Sequence, residues 1–188
     1  SDSSNATAIT IDSSENCTFA GTINDLGFQG PTTNFVNSML ISQDAGTGTL
    51  STASSNTGFG YNVFNVLTSG RFNVGMGQEA LKSLTSGDHN IAIGSDAMAQ
   101  NTIGFQNTVM GSFAMDGAVA ASRNTALGYA ALSGLTAATA TDTENTGVGG
   151  GALQVLTSGT KNTAIGRDAG LSASTGDDCT FVGTNAGG

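Results

Sequence analysis

A short pattern of polar and apolar positions recurs along this chain. Three close copies read NIAIG from Asn90, NTALG from Asn124 and NTAIG from Asn162. Each copy starts at an anchor position, which is followed three residues later by a large apolar residue and four residues later by Gly. The anchors are Asn56, Asn73, Asn90, Asn107, Asn124, Asn145, Asn162 and Cys179. The spacing between successive anchors is 17 in every gap but one, and the exception is a spacing of 21 that an insertion around residues 137–140 produces.

Large apolar residues occupy three columns of this repeat. Position 3 after the anchor holds Phe59, Met76, Ile93, Met110, Leu127, Val148, Ile165 and Val182. Position 8 is Phe, Leu or Met in six repeats, position 11 is often Leu, and position 7 is almost always Ala. We therefore expect about three large inward-facing residues per repeat. In particular, we predict that the position-3 residues Ile93, Leu127, Ile165 and Val182 are buried in register.

The repeat predicts an all-β fold, a parallel β-solenoid with coils of about 17 residues. A unit of this length cannot bury an apolar face alone but can do so when stacked. A Gly in every half of the repeat disfavours a helix. Extended segments joined by corners of Gly, Asn and Ser agree better with this sequence. The anchor Asn is expected to turn a corner in the left-handed αL conformation and to form a side-chain ladder up the stack.

The repeat divides the chain into three parts. Residues 56–188 carry the regular 17-residue repeats. Residues 17–55 are interpreted as degenerate first coils, with anchors at Cys17 in CTFAG and at Asn37 in NSMLIS. Residues 1–16 form an N-terminal segment with strand character.

Charges support the stacking. The residue before the anchor reads Arg123, Glu144, Lys161 and Asp178 in successive repeats, with alternating sign. One position earlier, Arg71 is expected to lie over Asp88. In a parallel stack these side chains lie above one another, where opposite charges attract.

Composition narrows the function. The 188 residues carry a net charge of −9, and only five are basic, which argues against a nucleic-acid partner. No apolar run approaches the length of a transmembrane helix, so we expect no membrane insertion. The chain starts at Ser1 without Met or a basic-apolar leader, which indicates a removed signal or an excised segment. We expect an extracellular protein: secreted, on a cell surface or part of a virion appendage.

The matching stretches Asn90–Gly94, Asn124–Gly128 and Asn162–Gly166 resemble the head repeats of trimeric autotransporter adhesins. They are also similar to the NTAIG repeats of phage tail-fibre and bacterial surface proteins. The resemblance implies a parallel β-roll, left-handed in the adhesin heads, and a structural or adhesive role. The adhesin-head repeats are shorter than those of this chain, which leaves handedness and a trimeric state open.

No motif points to catalysis, a cofactor or a metal, and we expect a protein that is not an enzyme. His89 is the only histidine, and it lies in the mixed-charge column where a solvated side chain is expected. GMGQEA at residues 75–80 matches a dinucleotide fingerprint, but the repeat already accounts for both glycines. The acidic pair Asp177 and Asp178 is isolated, and we interpret it as a solvated corner rather than a Ca²⁺ site.

The two cysteines, Cys17 and Cys179, stand near opposite ends in matching phrases. About nine coils would separate them by roughly 40 Å, whereas a disulfide needs Cα atoms within about 7 Å. They are therefore either free thiols or possible intermolecular thiols.

Three function classes stay open. The favoured one is a structural fibre, appendage or adhesin protein. The second is an ice-binding solenoid, and the third is a solenoid that binds or cleaves glycans, with a cell-surface glycan as partner. The candidate ice-binding ladder consists of Thr68, Thr85, Thr102, Thr136 and Thr157.

We expect the chain to associate with itself, as a head-to-tail filament or as a trimer. The repeat is still regular at Gly183, and an uncapped solenoid end exposes unpaired backbone groups. The strand segment Ala8, Ile9, Thr10 and Ile11 is a candidate to cover the last coil of a neighbour.

Overall fold

The computed structural model describes residues 51–136 and 143–188 in full, together with the backbone of five strands between residues 9 and 42. The strands are β1 (Ile9–Ile11), β2 (Cys17–Phe19), β3 (Gly27–Gln29), β4 (Phe35–Val36), β5 (Met39–Ser42), β6 (Ala53–Ser54), β7 (Thr57–Phe59), β8 (Val74–Met76), β9 (Ile91–Ile93), β10 (Thr108–Met110), β11 (Thr125–Leu127), β12 (Thr146–Val148), β13 (Thr163–Ile165) and β14 (Thr180–Val182).

Strands β7 to β14 form a parallel sheet in which each strand pairs with those of the neighbouring coils. The register repeats by whole coils, so that Thr57 pairs with Val74 and Val74 with Ile91. Across the long gap, Thr125 pairs with Thr146, so the stack absorbs the insertion without losing register. The predicted all-β parallel solenoid is confirmed.

The N-terminal strands join this stack differently. Strand β5 runs parallel to β7 and pairs Met39 with Thr57, one residue away from the register that an anchor at Asn37 predicts. Strand β3 extends the same sheet in antiparallel orientation. Strands β1 and β2 form a separate antiparallel pair that aligns Ile9 with Phe19, and β4 pairs with β6.

The core is a narrow column between the strands and the turn segments. Position 8 contributes fully buried side chains in six coils, and position 11 adds further leucines. Alanines of position 7 fill the remaining space, as the sequence predicts. The largest fully buried side chains are Phe64, Leu67, Leu81, Leu84, Met98, Met115, Leu132, Leu135, Leu153 and Leu156.

The predicted burial of the position-3 column is wrong. Ile165 and Val182 are exposed, and Ile93 and Leu127 are only partly covered. Successive side chains of a strand point to opposite faces, and the middle residue of each three-residue strand is the one that faces the core. That residue is Gly, Ala or Val in seven of the eight coils and Phe in the last: Gly58, Gly75, Ala92, Val109, Ala126, Gly147, Ala164 and Phe181.

Small strand residues are required because the opposite side of the coil already fills the interior. A Cβ added at Gly75 would lie 2.7 Å from Val63 Cγ1 and 3.3 Å from Phe64 Cζ. The relation is reversed near the C-terminal end, where Gly170 leaves room for the ring of Phe181. Where the turn side of the coil has a large residue, the strand side therefore has a small one, and the reverse.

The predicted asparagine ladder is confirmed. The backbone N–H and the side-chain Nδ2 of Asn73 both donate to Oδ1 of Asn56, at 2.9 and 3.0 Å. The same pair of bonds links Asn107 to Asn90 at 3.1 and 2.9 Å. All seven anchor asparagines are buried. After the insertion, the hydroxyl of Thr143 donates to Oδ1 of the preceding asparagine at 2.6 Å.

The αL conformation was expected at these asparagines, and that expectation is wrong. Positive φ falls instead on the residue before each anchor, for example His89 at 59° and Arg123 at 59°. The anchor side chain has to point inward to reach its neighbours, so the preceding residue makes the corner and directs its own side chain outward. Positions 6 and 8 also adopt positive φ, with Glu79 at 59° and Leu81 at 54°.

The Gly that ends each repeat phrase serves a close approach between coils. Gly77 has a φ of 128°, and a Cβ there would lie 2.5 Å from the carbonyl oxygen of Gly94 in the next coil. Only Gly satisfies both conditions, which accounts for its recurrence in the first seven of the eight repeats, while Gly183 in the last coil meets the condition of positive φ alone, at 119°.

Candidate binding surfaces

Two surfaces of the solenoid carry side chains that packing does not explain. The first, which we call the strand face, is formed by the outward-pointing residues at positions 1 and 3 of β7 to β14. Its position-3 column is apolar in every coil, with Phe59, Met76, Met110, Ile165 and Val182 exposed. Repetition of a large apolar residue in eight outward-facing positions indicates a role outside the core.

Aromatic residues widen the strand face at the adjoining corner. Tyr61, Phe113 and Tyr129 lie two or three positions beyond the apolar column and are exposed. The rings of Phe113 and Tyr129 meet edge to face, with centroids 5.9 Å apart. The three residues of every strand from β7 to β14 include no ionisable side chain. In a chain with a net charge of −9, this face is therefore locally neutral.

The second surface lies at the corner that precedes the anchor. Here two of the predicted vertical charge pairs are confirmed: Arg71 Nη2 lies 3.1 Å from Asp88 Oδ2, and Arg123 Nη1 lies 3.6 Å from Glu144 Oε1. The predicted contacts of Lys161 with its vertical neighbours stay predictions. His89, expected as a solvated side chain, is exposed and stacks on Phe72 with a centroid distance of 4.8 Å.

Several coils depart from the repeat at this corner. Three coils carry LTSG before it, at residues 67–70, 84–87 and 156–159, whereas residues 101–104 read NTIG and residues 118–121 read AVAA. Asn101 is buried and holds the altered loop, because its Oδ1 accepts the Gly104 N–H at 2.9 Å and its Nδ2 donates to the Ala118 carbonyl at 3.1 Å. The loop places Ile103 and Phe105 at the surface, beside a cleft of about 360 Å³. The sequence alone did not predict this cleft, although NTIG is one of the places where the repeat pattern is broken.

The predicted ice-binding ladder is present as a column, and most of its hydroxyls donate within the fold. Thr68 Oγ1 donates to the Thr85 carbonyl at 2.8 Å, and Thr85 Oγ1 donates to the Thr102 carbonyl at 2.9 Å. Thr102 and Thr157 donate in the same way to the next coil, at 3.0 Å each. Thr136 is exposed. The ice-binding function stays a prediction.

The candidate assembly residues remain predictions as well. Ile9, Thr10 and Ile11 form strand β1, which pairs with β2 of the same chain, while Ala8 lies outside the described residues. Cys179 is a half-buried free thiol whose Sγ lies 3.3 Å from the Asp177 carbonyl oxygen. Cys17 lies in β2, and its side chain is outside the described part of the chain.

Chemistry-bearing residues are dispersed within residues 51–136 and 143–188, where no group of three His, Cys, Asp or Glu side chains is arranged to hold a metal ion. The acidic pair at residues 177–178 is exposed, as expected. Asp177 accepts the N–H and hydroxyl of Thr160 at 2.7 and 2.9 Å, and these bonds lower the pKa of its carboxyl group. The segment that follows the glycines of GMGQEA is a turn rather than the helix that a dinucleotide site requires.

The part of the chain that the structure describes includes no helix long and apolar enough to cross a membrane. Comparison with protein-family models, curated proteins and solved structures gives no significant match to this chain.

Proposed function

We propose that this chain is a non-catalytic structural repeat protein of an extracellular fibre, appendage or adhesin, and that it associates with a second copy through the strand face. The observation that carries this proposal is the column of large apolar residues that points away from the core in all eight coils. A rigid stack with one long apolar face is suited to side-by-side assembly.

The dimensions of the strand face support a stable contact. Eight coils at about 4.8 Å per coil span roughly 40 Å, and three residues cover about 10 Å across each strand. The strands therefore present roughly 400 Å², and the rings of Tyr61, Phe113 and Tyr129 enlarge this area. A stable interface buries about 800 Å² per partner, so the strands supply about half of that area and the aromatic rings beside them add to it.

A second copy is the favoured occupant because its periodicity matches. Two identical faces have the same spacing between coils, so the apolar side chains of one can settle between those of the other, as in packed sheets. The neutrality of the face lets two chains of charge −9 approach where repulsion is weakest. A face-to-face contact of identical surfaces closes with two-fold symmetry.

The experiment is a measurement of molar mass by size exclusion with light scattering over a range of concentrations. We expect the unsubstituted chain to exceed the monomer mass of 18.6 kDa. Met110→Glu combined with Ile165→Glu is expected to return it to monomer, since both side chains project from the strand face. The matched control is Val155→Glu, which replaces an exposed apolar residue outside the strands and should leave the mass unchanged.

A monomer at every concentration would contradict the proposal, and so would an assembly that survives the double substitution. Circular dichroism of each variant separates loss of assembly from loss of folding. A filament that persists in the double variant and disappears on deletion of residues 1–16 would instead favour the end-to-end assembly predicted from the sequence.

A further inference from the structure

We propose that the cleft beside Phe105 is a binding site for a neutral saccharide. The cleft extends over three successive coils: Asp88 and His89 come from one, Phe105 and Gln106 from the next, and Arg123 from the one after. This site lies at the corner before the anchors and not on the strand face, so the inference is independent of self-association.

The departure of this coil from the repeat is the first argument. Ile103 stands where the two preceding coils have Ser69 and Ser86 and the following coil has Ala120, and Phe105 stands between Asp88 and Ser122 in its column. Neither apolar side chain contributes to the core, since Ile103 is exposed and Phe105 is only partly covered. Apolar surface beside a concave site is typical of ligand pockets, and the volume of this cleft falls within their usual range.

The side chains of the cleft are already held in position. The guanidinium carbon of Arg123 lies 5.2 Å from the centroid of the Phe105 ring, and its Nε donates to Gln106 Oε1 at 3.3 Å. The backbone N–H of Phe105 donates to the Ser122 hydroxyl at 3.1 Å. Asp88 Oδ1 accepts the backbone N–H of Arg71 at 2.7 Å. Because these contacts already restrict the side chains, binding costs little conformational entropy.

The chemistry of the lining selects the ligand class. Phe105 and Ile103 offer an apolar surface for the C–H face of a sugar ring. Asp88, Gln106 and Ser86 offer acceptors and donors suited to hydroxyl groups at the edge of that ring. A saccharide is the common ligand that presents an apolar face and a polar edge together.

Local charge argues against an anionic ligand. Arg123 is the one fixed cation that lines the cleft, and it is paired with Glu144. Asp88 contributes a carboxylate to the same cleft, which is paired with Arg71. A phosphate or sugar acid would meet this carboxylate and a chain of net charge −9. A neutral saccharide meets neither penalty.

The test is a binding measurement with immobilised lactose, maltose, cellobiose and chitobiose, with sialyllactose as the acidic arm. We expect at least one neutral disaccharide to bind. Phe105→Ala should weaken that binding roughly tenfold or more, since it removes the stacking surface. Tyr129→Ala removes an exposed aromatic ring elsewhere and should leave the affinity unchanged.

A second variant keeps the test decisive if Phe105→Ala disturbs the loop. Ser86 is exposed and lines the cleft in the coil that precedes Phe105. Ser86→Trp should fill the cleft and abolish binding, while the circular dichroism spectrum stays unchanged. Absence of binding to every neutral probe would overturn the proposal. Binding that both variants retain, or binding of sialyllactose alone, would overturn it equally.

Discussion

Met110 and Met115 lie five residues apart in the same coil, yet the first side chain is 46% exposed and the second is fully buried. The same contrast separates Phe59, 53% exposed, from Phe64, which is buried. The coils thus form two apolar columns of similar composition, one that points to solvent and one that points into the core. Residue type alone does not decide whether a column lies in the core. The direction in which its side chains leave the backbone decides it.

The two columns also differ in how their neighbours adapt to them. The buried column is matched by Gly, Ala or Val on the opposing strand, as Gly75 is to Phe64. The exposed column varies among Phe, Met, Ile, Leu and Val without any such compensation in the coil. The size of a residue in the buried column is therefore limited by the space inside the coil. A residue in the exposed column has only to be apolar.

The largest predicted effect is on stability, and it comes from comparing a buried and an exposed aromatic residue of the same coil. Phe64→Ala should lower the free energy of unfolding by about 3–5 kcal/mol, because it leaves a cavity in the column. Phe59→Ala should change it by about 0.5 kcal/mol or less in the monomer, since the ring faces solvent. Urea denaturation of both variants checks the pair, and equal losses would contradict the assignment of faces.

The next effect concerns the polar side of the core. Asn107→Ala removes the Oδ1 that accepts from the N–H and Nδ2 of Asn124, at 3.0 and 3.1 Å. Two buried donors then lose their acceptor, and we expect a loss of about 2–4 kcal/mol. Asn65→Ala, at a half-buried position outside the ladder, is the matched control. Similar denaturation midpoints for the two variants would show that the ladder contributes little.

A third substitution tests whether residue sizes on the strand side and on the turn side of the coil depend on each other. Gly75→Ala should cost about 1–3 kcal/mol through overpacking against Val63 and Phe64. Val63→Ala removes the nearest clashing atom and restores the pairing of Ala with Ala that other coils use, as at Ala80 and Ala92. The double variant should therefore recover much of the loss. A double-mutant cycle measures this coupling, and strict additivity would refute it.

The smallest effect lies at the exposed corner. Glu144→Lys replaces the attraction to Arg123 with repulsion and should cost on the order of 1 kcal/mol or less. Added salt should reduce the difference, since both side chains are exposed. Thermal unfolding at low and high ionic strength checks this, with Ser158→Lys as a control that adds a charge in another column. A salt-independent change would point to a cause other than charge.

The sequence predicts the coil period, the parallel register and the asparagine ladder, because each leaves a trace that recurs along the regular coils. It also predicts the ion pairs Arg71–Asp88 and Arg123–Glu144, because their charges of opposite sign stand one coil apart. It does not predict which way Ile165 and Val182 face. Three-residue strands are too short to display alternation, and Ala164 between two larger residues resembles filler rather than the inward residue. The cleft was not predicted because the departure at Phe105 is one of several irregularities at this corner, and the sequence does not show which of them forms a concave surface.

The asparagine ladder has a direction. Each Oδ1 accepts from the following coil and each anchor N–H points back, from Asn73 through to Cys179, whose N–H donates to Asn162 Oδ1 at 2.9 Å. Aligned amide dipoles add along the axis, for the same reason that peptide dipoles add in a helix. Each bond is polarised by those on either side, so the middle of the row is strengthened more than its two extremities. The row of asparagine amides is therefore electrically polar along its length, and its interior members are expected to exchange their amide hydrogens more slowly than the outer ones.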